Sequence, residues 1–273
     1  MFSTKSLKAL ATFAAIAVLF LAGPTFAADD MKADPALVAV ANGPQRSDAN
    51  KARDQYRHPV ETLTFFGLKA DMTVVELWPF GGWYTEILAP YLKEHGRLYG
   101  ANVGADIQGL GRYRTAFENK LASDKVLFDK VATTELGVAE TDLAPAGTAD
   151  MVVTFRNIHN WDQSGLTEKV FDRVYKALKP GGVFGVVEHR ADPGKEDKEP
   201  GYVSEDGVIK RAKAAGFELA AKSNVNANPK DTKDYPGGVW TLPPNYRSGK
   251  DREKYDAIGE SDRFTLKFVK PAN

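Results

Sequence analysis

The sequence predicts an α/β fold in three layers: a mostly parallel sheet between helices, with an antiparallel last strand and an N-terminal helical arm. Three observations carry that expectation. Strand-like and helix-like segments alternate from Thr73 onward, the pattern of β–α–β units with right-handed crossovers. The segment Ala149–Phe155 is largely apolar on both alternations, as befits a strand covered on both faces. The last two strand candidates, residues 217–221 and 264–269, have no helical pattern between them, which favours an antiparallel finish.

Taken in order, residues 1–27 stand apart. MFSTKSLK carries Lys5 and Lys8, residues 9–22 form an apolar run, Gly23-Pro24 breaks it, and Thr25-Phe26-Ala27 places small residues at the −3 and −1 positions. This is the pattern of a secretory signal peptide cleaved after Ala27. The apolar run of 14 residues is short for a membrane span, which needs about 20, so no membrane insertion is expected after cleavage. Removing Lys5 and Lys8 leaves 34 basic against 36 acidic residues, a net charge of −2. Near-neutrality argues against a nucleic-acid partner. The absence of cysteine excludes disulfide scaffolds, thiol nucleophiles and thiolate metal sites. The expected product is an exported protein, periplasmic or secreted, held together by its core.

Residues 28–58 read as a polar helical arm, and 59–273 as the main domain. Pro59 can open a helix that closes at Gly67. Strands are expected at Thr73–Leu77, 97–101, 126–129, Ala149–Phe155, 183–188, 217–221 and 264–269. Helices are expected at 83–94, 113–123, 166–178 and from Ser204 to Gly216, with Ser204 as N-cap. Lys179-Pro180-Gly181-Gly182 reads as a helix stop and turn. Residues 224–262, rich in Pro, Gly, Asn and charge, make a connection too long to be idle. Tyr235, Trp240, Pro243-Pro244 and Tyr246 give it the character of a semi-ordered flap.

Ligands of such sheets bind beyond the carboxyl ends of the strands. The residues there are Glu76 and the turn from Trp78 to Gly82, then Asn102, then RNIHNWD from Arg156 to Asp162, then Glu188-His189-Arg190. Three of the four histidines, His58, His159 and His189, fall in these places or just before the first helix of the domain. An imidazole titrates near neutrality and suits a proton-accepting role. The same histidines with Glu188 could instead supply a His/carboxylate metal set, although no short spacing such as H-x-H accompanies them. A nicotinamide dehydrogenase is disfavoured, because the first turn lacks G-x-G-x-x-G.

Glu76-Leu77 followed by Gly81-Gly82, and KVFDRVYKALKPGGVFGVVE from Lys169 to Glu188, resemble the motifs of class I S-adenosylmethionine-dependent methyltransferases. WPFGGWYTEILAPYL, TFRNIHNW, VVEHRA and ESDRFTLKFVKP are similar to an exported group of predicted methyltransferases, and the likeness extends from about Pro59 to Pro271. The resemblance implies a Rossmann-like methyltransferase sheet with S-adenosylmethionine as cofactor. It implies contacts to the cofactor from Glu76, Trp78, Gly81, Gly82, Asn102, Asn157 and Trp161. It also implies a catalytic group in His159, His189 and Glu188, and contacts to a small-molecule acceptor from His58, Asn160 and Arg190. Two positions depart from the pattern. Trp78 and Phe80 stand where the family has glycine, with Pro79 between them biasing Trp78 toward extended geometry. Asn102 stands where a carboxylate accepts both ribose hydroxyls, and an amide offers only one acceptor oxygen. A second tension is that the cofactor is made in the cytoplasm. The alternative reading is therefore a catalytically silent periplasmic binding protein on the same fold.

Overall fold

A computed structural model describes residues 32–195, 200–247 and 249–272; the signal peptide expected at 1–27 lies outside them. Seven strands form one sheet in the order β3-β2-β1-β4-β5-β7-β6: β1 Thr73–Leu77, β2 Arg97–Val103, β3 Ala132–Leu136, β4 Ala149–Phe155, β5 Leu178–His189, β6 Glu218–Ser223 and β7 Arg263–Val269. Neighbours pair in parallel except β7, which lies antiparallel between β5 and β6. The expected antiparallel last strand is therefore present.

The arm consists of α1 (Pro35–Ala41), α2 (Asp48–Lys51) and α3 (Asp54–Arg57). Asp34 caps α1 and Ser47 caps α2 through their side chains. Helix α4 (Pro59–Phe66) starts on proline and stops at left-handed Gly67, as its punctuation requires. The crossovers carry α5 (Thr85–Leu92), α6 (Gly111–Ser123), α7 (Lys125–Phe128), α8 (Ile158–Gln163), α9 (Thr167–Ala177) and α10 (Glu205–Ala214). Strand side chains alternate between two cores. Val75, Val152, Phe184 and Val186 pack with Val170, Phe171 and Val174 of α9 and Val208 of α10. Val74, Met151, Val153 and Val187 pack with Leu37 of α1, Leu63 and Phe66 of α4, and Ile87 and Leu88 of α5. The period-two alternation of strands thus builds the three layers.

Three sequence expectations are corrected. Residues 126–129 are not the third strand: Asp124 accepts the Leu127 N–H at 2.9 Å, and the capped turn α7 tucks Phe128 into the core. The third strand is Ala132–Leu136, whose buried residue is Leu136, so its edge position disguises it. Lys179–Gly182 is not a turn between helix and strand, because β5 already pairs at Leu178 with Ala149 and Gly181 donates to the Lys270 carbonyl at 2.8 Å. Between β6 and β7 there is a helix, α11 (Arg252–Ile258), and a 3-10 turn at Gly238–Thr241. This connection packs on itself through Tyr235, Leu242 and Tyr255. Asn226 pins it to the domain by donating to Thr62 and Thr265, both at 2.9 Å.

Candidate active site

The loop after β1 keeps a glycine-like backbone while bearing large rings. Trp78, Phe80 and Gly82 have φ of 43°, 50° and 72°. Trp78 is left-handed rather than extended, against the bias expected from Pro79. For a side-chain-bearing residue this geometry costs roughly 1–2 kcal/mol, so the surroundings must hold it. The Trp78 N–H donates to the Ala101 carbonyl at 2.9 Å, and its indole N–H to the Leu136 carbonyl at 2.8 Å. Trp161 meets the indole edge-on with centroids 5.9 Å apart, and Phe80 lies 6.0 Å from it and 4.6 Å from Tyr113. The rings fill the space over the ends of β2 and β3.

Beside this plug is a cavity of about 250 Å³, bordered by Glu76, Trp78, Gly81, Trp83, Tyr84 and Asn157. The Glu76 carboxyl is buried, accepts from the Thr85 hydroxyl at 2.6 Å, and is pushed up to about 7 by burial. Asn157 donates to the Leu77 carbonyl at 2.9 Å, while its side-chain oxygen is buried without a partner. A Cβ on Gly81 would meet open space, whereas one on Gly82 would meet Lys120 Cγ at 2.9 Å. Asn102 is turned inward: its oxygen accepts from Val103 N–H at 2.8 Å and its amide donates to the Arg114 carbonyl at 3.2 Å. These residues fit the methionyl end of S-adenosylmethionine, with an orphaned acceptor and an unobstructed glycine. The adenosyl end would require the Trp78 ring to leave its seat.

A second cavity, about 320 Å³, lies beside the first and shares the lining residues Arg53, Arg57, Phe80, Phe155 and Arg156 with it. His159, Asn160, His189 and Trp240 line its far side. Beneath it, fully buried Glu188 accepts the Ile158 N–H at 2.6 Å and the His189 N–H at 2.8 Å. The same carboxylate faces His159 Nδ1 at 3.1 Å. His189 Nδ1 meets the Ser261 hydroxyl at 2.5 Å. Burial, then His159 and the neighbouring arginines, push the His189 imidazole well below its ordinary value, so it is neutral at neutral pH. Carboxylate and hydroxyl each engage an Nδ1, which leaves both Nε2 atoms for the cavity.

The arginines are organised by one carboxylate. Glu260 receives Arg53 Nε at 2.6 Å, Arg57 Nε at 3.0 Å and the guanidinium of Arg263. Although burial pushes the Glu260 carboxyl up, Arg263, Arg57 and Arg53 hold it far below the usual carboxylate range. Arg156 follows β4 with φ of 63°, its N–H donating to the Val187 carbonyl at 2.7 Å. Burial first, and Arg263 second, push its guanidinium down to about 10, which leaves it charged.

Of the residues singled out in the sequence, Glu76, Trp78, Gly81 and Asn157 border the first cavity, and His159, Asn160 and His189 the second. Glu188 supports them from below. His58 joins α3 to α4 with φ of 39° and borders neither cavity. Gly82 lies against α6, Trp161 is core, and Asn102 is hydrogen-bonded away. Arg190 is held at Glu205 and Asp262, 3.5 and 3.6 Å away. The metal grouping is partly assembled: one ligand atom each from His159, Glu188 and His189 lies within 4.8 Å of the others. Yet both Glu188 oxygens already accept backbone N–H groups, and the surrounding guanidiniums repel a cation. Sequence reasoning missed Arg53, Arg57, Glu260 and Arg263, and named Arg156 only as a strand-end residue without a role. The spacing of Arg53 and Arg57, one helical turn apart, was the available signal.

No protein family matches the chain, and no curated protein does. Solved structures do. A methyltransferase dependent on S-adenosylmethionine from Aquifex aeolicus is 18% identical over 88% of this chain and 100% of its own, with a TM-score of 0.55. The cyclase SpnF is 15% identical over 88% of this chain and 92% of its own, with a TM-score of 0.59. The glycopeptide N-methyltransferase MtfA, complexed with S-adenosylhomocysteine, is 15% identical over 80% of this chain and 90% of its own, with a TM-score of 0.51. At these identities the likeness shows the fold, and the fold is that of the class I S-adenosylmethionine-dependent methyltransferases.

Proposed function

We propose that the chain transfers a methyl group from S-adenosylmethionine to a small molecule, as an exported, periplasmic or secreted enzyme. The observation that carries this reading is the adjacency of two cavities that share Phe80, Phe155 and Arg156 in their linings. One lies over the β1–α5 loop, and the other presents two imidazoles. A donor in the first and an acceptor in the second would face each other across the junction, and methyl transfer depends mainly on such positioning.

When bound, S-adenosylmethionine supplies an electrophilic methyl group. Gly81, with open space at its Cβ position, and the unpartnered Asn157 side-chain oxygen would receive its methionyl end. Glu188 holds His159 Nδ1 as the proton-bearing nitrogen, so that Nε2 can take a proton from the acceptor. His189, kept neutral and oriented by Ser261, is the second candidate for that step. Phe80, Phe155 and Trp240 exclude water from the junction.

A second reading rests on the Trp78 ring and the inward turn of Asn102: a binding protein that has lost the adenosyl site. Calorimetric titration with S-adenosylmethionine and S-adenosylhomocysteine separates the two. We expect binding that weakens in Gly81→Val, a substitution with room for its Cβ and therefore little cost to folding. If the intact protein ignores both compounds at millimolar concentration, the binding-protein reading replaces the enzyme.

A further inference from the structure

The second cavity holds more positive charge than its own residues neutralise. Arg53, Arg57, Arg156 and Arg263 border it with Glu260 as the one carboxylate in its lining. Before the imidazoles are counted, the four arginines less Glu260 leave the lining at +3. Glu76 in the adjoining cavity and Glu188 beneath the imidazoles bring this no lower than +1. Glu260 is already bonded to Arg53, Arg57 and Arg263. Arg156 makes no side-chain hydrogen bond or ion pair among the described residues, Glu260 acting on it only at longer range, and the terminal nitrogens of Arg57 make no hydrogen bond among them. A half-buried cation without a counter-charge is costly. So is the left-handed backbone that aims Arg156 into the junction. Features that cost stability and converge on one cavity point to a ligand that offsets them.

We infer that the acceptor is a small organic anion, with a carboxylate or phosphate head gripped by Arg57 and Arg156 and an apolar body against Phe80, Phe155 and Trp240. This rests on the reading of the second cavity as the acceptor site. The planar guanidinium fork matches carboxylate and phosphate oxygens in pairs. The cofactor cannot be the missing counter-charge, because its sulfonium and ammonium outweigh its single carboxylate. Loading it would leave the adjacent cavities more positive. An acidic acceptor restores the balance, and the clamp at one end of it sets which atom reaches the imidazoles at the other.

The test uses the whole chain in calorimetric titration with benzoate, phenyl phosphate and neutral benzyl alcohol, each with and without S-adenosylmethionine. At least one of the two anions is expected to bind, and the alcohol at least tenfold more weakly. Arg156→Gln should weaken the anion at least tenfold without lowering the melting temperature of the free protein. Lys213→Gln, on the exposed face of α10, should change neither. Whichever anion binds more tightly identifies the head group. Equal binding of the alcohol, or anion affinity untouched by Arg156→Gln, overturns the inference. Displacement of S-adenosylmethionine by the anions, one for one, would also overturn it, by assigning the arginines to the cofactor's carboxylate. If the anions bind through Arg156 and S-adenosylmethionine does not bind, methyl transfer fails and anion recognition stands.

Discussion

The indole N–H of Trp78 reaches past the end of β2 to the carbonyl of Leu136, the last residue of β3, at 2.8 Å. One side chain thereby fills the space beyond β2 where the family resemblance would put an adenosyl group. Trp78→Gly removes the ring and suits the left-handed backbone. We expect it to tighten S-adenosylmethionine binding about tenfold, an effect of ~1.4 kcal/mol. The lost packing, about 3–5 kcal/mol, exceeds the relieved strain of roughly 1–2 kcal/mol, so the variant should be less stable. Titration and urea unfolding read the two effects separately, and weaker binding in a folded variant would make Trp78 a cofactor contact instead.

Glu76 gives a pH signature. Its carboxyl has an ordinary value of 4.5 and is pushed up to about 7 in the folded chain. Between those values the folded state binds more protons than the unfolded one, so this group makes stability fall as pH rises from 4.5 to 7. Glu76→Gln does not titrate. We expect the variant to gain on the parent by about 2–3 kcal/mol between pH 5 and pH 8. Parallel unfolding curves at the two pH values check it, and a constant difference would mean that Glu76 ionises normally.

Glu260 should behave in the opposite sense. Its folded value lies below the ordinary 4.5, so its contribution is complete above 4.5 and is lost as pH falls through the folded value. Glu260→Gln leaves Arg53, Arg57 and Arg263 facing one another, which should cost about 3–5 kcal/mol near neutrality and much less in acid. Added sulfate should restore part of the loss by standing in for the carboxylate. A variant as stable as the parent at pH 7 would show that solvent already screens the cluster.

Glu188→Gln tests the orientation of His159. The amide keeps the shape but replaces one acceptor by a donor against the Ile158 and His189 N–H groups, costing about 1–3 kcal/mol. Turnover on any acceptor should drop about 10²-fold. The tautomer of His159, read by nitrogen NMR, should shift from Nδ1–H toward a mixture. An unchanged tautomer would remove Glu188 from the positioning role.

The layers of the fold were legible because they follow from periodicity: the apolar face of α9, the doubly covered β4 and the Pro59 and Gly67 punctuation of α4 each have a local cause. The third strand was not, because an edge strand with one inward residue lacks the pattern, while Val126-Leu127-Phe128 imitates it. Within the site, His159, His189 and Glu188 were readable from the strand-end rule. Arg156 was readable by the same rule, but Arg53, Arg57 and Arg263 were hidden by distance along the chain: Arg53 and Glu260 are 207 positions apart, and only the folded arm and the β6–β7 connection bring them together. Trp78 showed a third limit. Its departure from glycine was plain, but the backbone kept the glycine conformation, a choice that the Ala101 and Leu136 carbonyls impose from other strands.

The arm buries Leu37 and Ala41 in the core and is further fastened by polar and ring contacts. Asp34 accepts the Tyr91 hydroxyl at 2.7 Å, Asn50 bonds to Glu86 at 2.8 Å, and the guanidiniums of Arg46 and Arg57 rest on the Trp83 ring. None of these lies in the sheet, yet the arm delivers Arg53 and Arg57. A protease nick just ahead of α4 would thus spare every strand and still dismantle half of the cationic wall. Processing at the amino end, tags and fusions are accordingly changes to recognition itself as well as to packing.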